Sequence, residues 1–141
     1  LGISQISGAS STSVGGYVEK ETDENNTAQF DRSDTRTLDE VLNWLLELGY
    51  IPSFCTACYR QGRTGDRFMP LAKSGAIQNC CQPNALLTLK EYLEDYASKD
   101  TKIKGDKVIA AEVKKIPNDK VRETTIDYLD KIVHGSRDFR F

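Results

Sequence analysis

Four cysteines in the middle of the chain are the residues whose type and spacing could support metal chemistry. Cys55 and Cys58 are separated by two residues, a spacing at which both thiolates can reach one metal from a turn. Twenty-two residues separate Cys58 from Cys81, enough to fold a loop back over the site. The adjacent Cys80 cannot easily point at the same metal, because successive side chains diverge. Since Cys80 and Cys81 cannot easily share one metal, the spacing offers three good ligands among the four cysteines and one spare thiol.

Spacing alone leaves three interpretations of these cysteines open: an iron–sulfur cluster, a structural zinc site, or unliganded thiols. A cluster held by three cysteines leaves one iron free for an exogenous ligand. A structural zinc site needs a fourth protein ligand, which would be Cys80 or His134. The position of His134 before Gly135 favours a helix-end role instead. Disulfides are less favoured, because nothing in the sequence indicates secretion.

Charge separates the cysteine segment from the rest of the chain. The 141 residues (15.8 kDa) carry a net charge of −2, which argues against a general nucleic-acid binder. Residues 55–81 instead hold four basic side chains against Asp66 alone. Arg60, Arg63 and Arg67 are candidate substrate-binding residues that could hold a carboxylate, although solvation or a bond to Asp66 would explain them equally well. With no run of eighteen apolar residues, we expect a cytoplasmic protein without a membrane partner.

Hydrophobic periodicity predicts that the chain from Thr37 onward is helical. Thr37 and Glu40 form a capping-box pattern, and a helix ending near Gly49 follows it. Another helix begins near Pro83, and two more are expected at about 106–116 and 118–133. The predicted apolar faces are Leu38, Val41, Leu42, Leu45 and Leu48; Leu86, Leu89, Leu93 and Tyr96; Val108, Ala111, Val113 and Ile116; and Val121, Thr125, Leu129 and Ile132. A short helix near Pro70 should start late, kink or stop there.

Three sequence blocks resemble a known family. They are Ser53-Phe54-Cys55-Thr56-Ala57-Cys58-Tyr59-Arg60, the run from Gly62 to Met69, and Asn79-Cys80-Cys81-Gln82-Pro83-Asn84-Ala85-Leu86. They closely resemble the C-terminal part of the HydG family of radical-SAM tyrosine lyases, which mature the iron-only hydrogenase. Leu1–Tyr17 resembles the last strand and following loop of the (β/α)8 barrel, shared with the related ThiH enzymes.

This resemblance implies a mainly α chain: the last strand and loop of a radical-SAM barrel, followed by a helical cluster-binding domain. Residues 1–36 would be the barrel end and its connecting loop, 37–52 a helix packing on the barrel, and 53–141 the auxiliary-cluster domain. Most of the barrel and its C-x3-C-x2-C motif are absent, so the chain is expected to be a fragment that is inactive alone. S-adenosylmethionine and a second 4Fe-4S cluster would belong to the missing barrel.

The resemblance also implies a specific chemistry. The family splits tyrosine, and its auxiliary 4Fe-4S cluster converts the resulting dehydroglycine to carbon monoxide and cyanide bound on iron, for H-cluster assembly. Cys55, Cys58 and Cys81 match the cluster ligands and Cys80 a non-ligand position, with an additional iron and a bound cysteine at the open site. Ser7, Ser10, Ser11 and Thr12 would follow the barrel strand as candidate substrate contacts.

The implied partners are the remainder of the barrel, tyrosine-derived small molecules and hydrogenase maturation proteins. The alternative function is a zinc-stabilised helical interaction module without catalysis.

Overall fold

Helices make up all of the regular structure that the computed structural model describes, which covers residues 8–9 and 36–141. For the described part of the chain, this confirms the predicted mainly helical character. The predicted barrel strand and the candidate residues Ser7, Ser10, Ser11 and Thr12 lie outside the described residues. In chain order the helices are α1 (Leu38–Glu47), α2 (Ala57–Arg60), α3 (Phe68–Lys73), α4 (Cys81–Asp95), α5 (Lys99–Val113) and α6 (Asp119–Val133), with 3-10 helices at Gly65–Arg67 and Ala76–Asn79.

Helix α1 begins with the predicted capping box. The Thr37 hydroxyl accepts a hydrogen bond from Glu40 N at 3.3 Å, and Thr37 N donates to Glu40 Oε2 at 2.7 Å. Each partner thereby satisfies an amide that the first helical turn leaves unpaired. The hydrogen bonds from Thr37 also lower the pKa of Glu40.

The predicted apolar face of α1 is partly wrong. The helix buries Val41, Leu42 and Leu46, whereas Leu38 and Leu48 are 36% and 54% exposed. Leu38 opens the helix and Leu48 lies just past its last turn, so neither is held over the core. On the outer face, Trp44 is 43% exposed, with the Arg36 guanidinium 4.6 Å from its ring centroid.

Helix α4 lies at the centre of the domain and packs against α5 and α6. The core combines apolar side chains of α1, α4, α5 and the α5–α6 connection: Leu46, Leu86, Leu89, Leu93, Ile109, Val113 and Ile116. Tyr96, which we predicted to share this face, is 76% exposed because it follows the last residue of α4. Among the helices described, α4 buries the most residues. Its N-terminus, which carries Cys80 and Cys81, is therefore part of a firmly packed helix.

Helix α5 begins earlier than predicted, at Lys99 instead of near residue 106. Ser98 caps it, its hydroxyl accepting a hydrogen bond from Thr101 N at 3.4 Å. The helix runs through Gly105, a poor helix former that lies where α5 meets Leu93 of α4. A Cβ atom added at Gly105 would overlap both methyl groups of Leu93. Glycine is therefore retained inside this helix because two helices approach closely there.

The remaining helices begin and end close to their predicted positions. Helix α6 starts after Asn118, whose side chain accepts from Val121 N at 3.1 Å, and ends at Val133. Helix α3 begins at Phe68 and places Pro70 in its first turn, where proline removes no helical hydrogen bond. None of the helices described is long and apolar enough to cross a membrane.

Buried polar side chains tie α4 to α5. The ammonium group of Lys90, a residue only 8% exposed, lies 2.7 Å from Glu94 Oε1 and 2.6 Å from Asp106 Oδ1. Both carboxylates neutralise a charge that burial would otherwise disfavour. Lys102 also binds Glu94, at 2.5 Å.

Candidate metal centre

The Cys55–Cys58 segment is a tight turn held by backbone amides. Ala57 N lies 3.4 Å from Cys55 Sγ and donates to it, and Cys58 belongs to the one-turn helix α2. Arg63 N donates to Cys58 O at 2.8 Å, which closes the loop that follows. These two backbone N–H groups therefore fix the conformation of the turn that carries the Cys55 and Cys58 thiols.

Cys80 and Cys81 lie at the start of α4, where Cys81 is the first helical residue. Their sulfur atoms are 4.0 Å apart, so the expectation that these side chains diverge is wrong. The backbone at Cys80 (φ −130°, ψ −48°) is not helical, and this bend between the 3-10 helix and α4 lets the two thiols approach each other. The Cys80 thiol also lies 3.7 Å from Ile77 O and can donate to it.

The cysteines influence one another electrostatically. Burial, followed by the neighbouring thiols of Cys80, Cys58 and Cys55, raises the pKa of Cys81 to about 11. All four thiols are free and half-buried. Within residues 8–9 and 36–141, no three His, Cys, Asp or Glu side chains are arranged to hold a metal ion. His134 instead caps the end of α6, with Nδ1 at 2.8 Å from Asp130 O, as predicted for a helix-end residue.

Two of the three candidate arginines contact the C-terminal segment, defined here as residues 136–141. Arg60 pairs with Asp138 rather than with Asp66, through contacts of 2.5 and 3.0 Å. Arg63 donates to Phe141 O at 2.9 Å. Hydrogen bonds from Arg60, followed by those from Arg140, lower the pKa of Asp138 to about 2.

Arg67 lies exposed in the first 3-10 helix. A substrate-binding role for Arg60, Arg63 and Arg67 remains a prediction.

Asn84 and Asp138 are site residues that sequence reasoning missed. Asn84 is only 2% exposed, and its side-chain amide accepts from Phe141 N at 2.8 Å and donates to Phe141 O at 3.4 Å. Tyr128 stacks on Phe139 with ring centroids 4.4 Å apart, which holds the same segment against α6. The available signal was the unbalanced positive charge of residues 55–81, which required an acidic partner from elsewhere in the chain.

A cavity of about 740 Å³ lies beside Cys55, between the cysteine turn, α4 and the C-terminal segment. Phe54 and Tyr92, stacked with centroids 5.4 Å apart, form part of its wall, and the paired Arg60 and Asp138 form another part. One wall of this space thus carries a candidate metal ligand.

One comparison with known proteins found a match to this chain. No protein-family model and no curated protein sequence matches the chain. A solved structure does: the crystal structure of HydG, a maturase of the FeFe-hydrogenase, has 53% sequence identity and a TM-score of 0.88 over 99% of this chain. This chain resembles the C-terminal portion of HydG. The chain spans 30% of the length of the HydG chain. The resemblance predicted from the cysteine blocks is confirmed for the C-terminal portion of HydG.

Proposed function

We propose that Cys55, Cys58 and Cys81 hold an auxiliary 4Fe-4S cluster in the C-terminal part of a radical-SAM tyrosine lyase. The observation that carries this proposal is the similarity to HydG across 99% of the chain, which includes all four cysteines. The donor set fits such a group chemically, because cysteine sulfur is the ligand that holds iron–sulfur clusters. A buried Arg63 Nε without a partner in the described part of the chain also suits an anionic group in this region.

The domain organisation follows from the same proposal. Residues 1–36 would complete the barrel, 37–52 would pack on it, and 53–141 would form the cluster domain. The exposed apolar side chains of Trp44 and Leu48 on the outer face of the 37–52 segment support its being covered by another part of the protein. S-adenosylmethionine and the other 4Fe-4S cluster would be bound by the rest of the barrel.

When bound, such a cluster supplies an iron with an open coordination position, where tyrosine-derived dehydroglycine would yield carbon monoxide and cyanide for the hydrogenase H-cluster. The chain's own residues define that position. Cys55, Cys58 and Cys81 would hold the cluster, and Cys80 would be withheld as a fourth ligand because its thiol can instead donate to Ile77 O at 3.7 Å. The Ala57 N–H, which donates to Cys55 Sγ at 3.4 Å, would hold that sulfur in position. An additional iron with a bound cysteine would be the substrate at the open position and would carry the carbon monoxide and cyanide. Other hydrogenase maturation proteins would then receive it.

Anaerobic iron–sulfide reconstitution tests the ligand set. We expect about four irons at this site in the wild-type protein, as a cubane requires. Cys81→Ala should abolish this iron, while Cys80→Ala, its matched control on the adjacent residue, should leave it largely intact. A wild-type protein that takes up one equivalent of zinc and no iron at these cysteines would refute the proposal.

One observation favours the alternative of a zinc-stabilised helical interaction module. The 4.0 Å between the Cys80 and Cys81 sulfurs is close to the distance of about 3.8 Å between two thiolates on a tetrahedral zinc with bonds of about 2.3 Å. In that case Cys80 would be a ligand, and Cys80→Ala would remove the metal as fully as Cys81→Ala. The same two variants therefore separate the two functions.

A further inference from the structure

We propose that the C-terminal segment is a clamp that fixes the position of the Cys55–Cys58 turn relative to Cys81, with Asp138 and Asn84 as positioning residues. The inference rests on the proposed function, because it assigns these residues a role in shaping the cluster site. It is carried by hydrogen bonds that join one short segment to both ligand-bearing parts of the chain.

The first side of the clamp holds the turn. Arg60 follows Cys58 by two residues in the sequence, and both of its terminal nitrogens bind Asp138, at 2.5 and 3.0 Å. Arg63, whose amide closes the loop onto Cys58 O, donates its guanidinium to Phe141 O at 2.9 Å. A bidentate arginine–carboxylate pair fixes orientation as well as distance, so the segment restrains how α2 presents Cys58.

The second side of the clamp holds α4. Asn84, one helical turn after Cys81, binds both the N–H and the C=O of Phe141, at 2.8 and 3.4 Å. Asp138 N donates to Glu91 on the same helix at 2.7 Å. Asn84 is 2% exposed, and a buried amide that lost these partners would be left unsatisfied.

The Cys55–Cys58 turn needs support from elsewhere in the chain because few contacts within the turn stabilise it. Helix α2 has four residues and no side-chain cap at Thr56, and a helix this short is not stable by itself. A direct hydrogen bond from the turn to α4 runs from Phe54 N to Thr88 Oγ1, at 3.3 Å. The clamp adds contacts to Arg60 and Arg63, which follow Cys58 in the chain. The distance between the ligands is thus set by residues 78 positions further along the chain from Arg60 and Arg63.

Asp138→Ala in the full-length protein tests the clamp, with Asp95→Ala as its matched control. Asp95 forms an equivalent two-contact pair with Arg137 of the same segment, at 2.9 and 2.5 Å, but at the opposite end of α4 from Cys81. In the metal-free protein, mass spectrometry would follow the alkylation rate of each cysteine. We expect Asp138→Ala to accelerate alkylation of Cys55 and Cys58 by about two- to fivefold, the range for one exposed ion pair, and Asp95→Ala to leave both rates unchanged.

Two further variants separate positioning from general stability. Asn84→Ala should accelerate alkylation on the order of tenfold, since it removes buried hydrogen bonds, and Asp138→Glu should restore most of the wild-type rate because it keeps the carboxylate. After reconstitution, the electron paramagnetic resonance signal of the reduced cluster should shift in Asp138→Ala and not in Asp95→Ala.

If wild-type protein binds iron but Asp138→Ala matches Asp95→Ala in both measurements, the clamp is wrong and the proposed function stands. If wild-type protein binds no iron at these cysteines, both proposals are wrong.

Discussion

Gly105→Ala is the substitution that tests most directly how α4 and α5 pack. Ordinary helix propensity predicts that alanine inside α5 stabilises the protein by about 1 kcal/mol. The structure predicts the opposite sign. The new Cβ would overlap both methyl groups of Leu93 and lie 3.1 Å from its Cγ.

The magnitude depends on whether Leu93 can move. Leu93 is 1% exposed and belongs to the central core cluster, so its methyl groups have no open space to enter. Overpacking of this kind costs about 1–3 kcal/mol, and overlap with both methyls puts Gly105→Ala in the upper part of that range. After the propensity gain is subtracted, we expect a net loss of about 1–2 kcal/mol in the free energy of unfolding.

Urea denaturation followed by circular dichroism measures this loss, and a double-mutant cycle assigns its cause. Leu93→Ala alone should destabilise the protein by about 2–5 kcal/mol through the cavity that it leaves. In that background the overlap is gone, so Gly105→Ala should be neutral or stabilising by up to about 1 kcal/mol. Ile103→Ala, on the same helix but 69% exposed, is the control and should change stability little.

Two results would refute this reasoning. Gly105→Ala could prove as stable as the wild type, which would mean that the helices do not approach as closely as described. Alternatively, its effect could persist unchanged in the Leu93→Ala background, which would place the cause elsewhere than in the contact with that side chain.

Two further predictions concern charged groups. Lys90→Met should destabilise the protein by about 1–3 kcal/mol in urea denaturation, because Glu94 and Asp106 lose the buried cation that they share. Lys131→Met, which breaks an exposed pair, is the control, and equal losses in both variants would contradict the argument. Asp138 has a pKa of about 2 in the folded protein against 3.8 for its ordinary value, so its contribution to stability is complete above that ordinary value and is lost as the pH falls toward 2. The difference in denaturation midpoint between wild type and Asp138→Asn should therefore shrink across this acidic window, and a difference that is constant with pH would count against the ion pair.

Local signals in the sequence predicted much of the fold. The Thr37–Glu40 capping box and the first-turn position of Pro70 each depend on a few neighbouring residues, and both occur as expected. The start of α5 was misplaced because Gly105 weakens helix propensity, while the contact with Leu93 that requires glycine comes from another helix. Propensity describes one segment at a time and carries no information about such contacts.

For the candidate site too, local sequence signals predicted some features and missed others that depend on the folded structure. The cysteine spacing and the neighbouring blocks were enough to indicate the resemblance to HydG. The approach of Cys80 to Cys81 depends on one non-helical backbone conformation, which no spacing rule encodes. The pairing of Arg60 with Asp138 joins residues 78 positions apart, so hydrophobic periodicity could not reveal it.

The chain contains one tryptophan, and its place on the outer face of α1 gives the protein an intrinsic optical reporter. Indole fluorescence moves to shorter wavelength when water leaves the ring. If another part of a longer polypeptide, or a separate protein, covers this face, the emission maximum of Trp44 should move to shorter wavelength. The change can be followed in solution without labelling the protein.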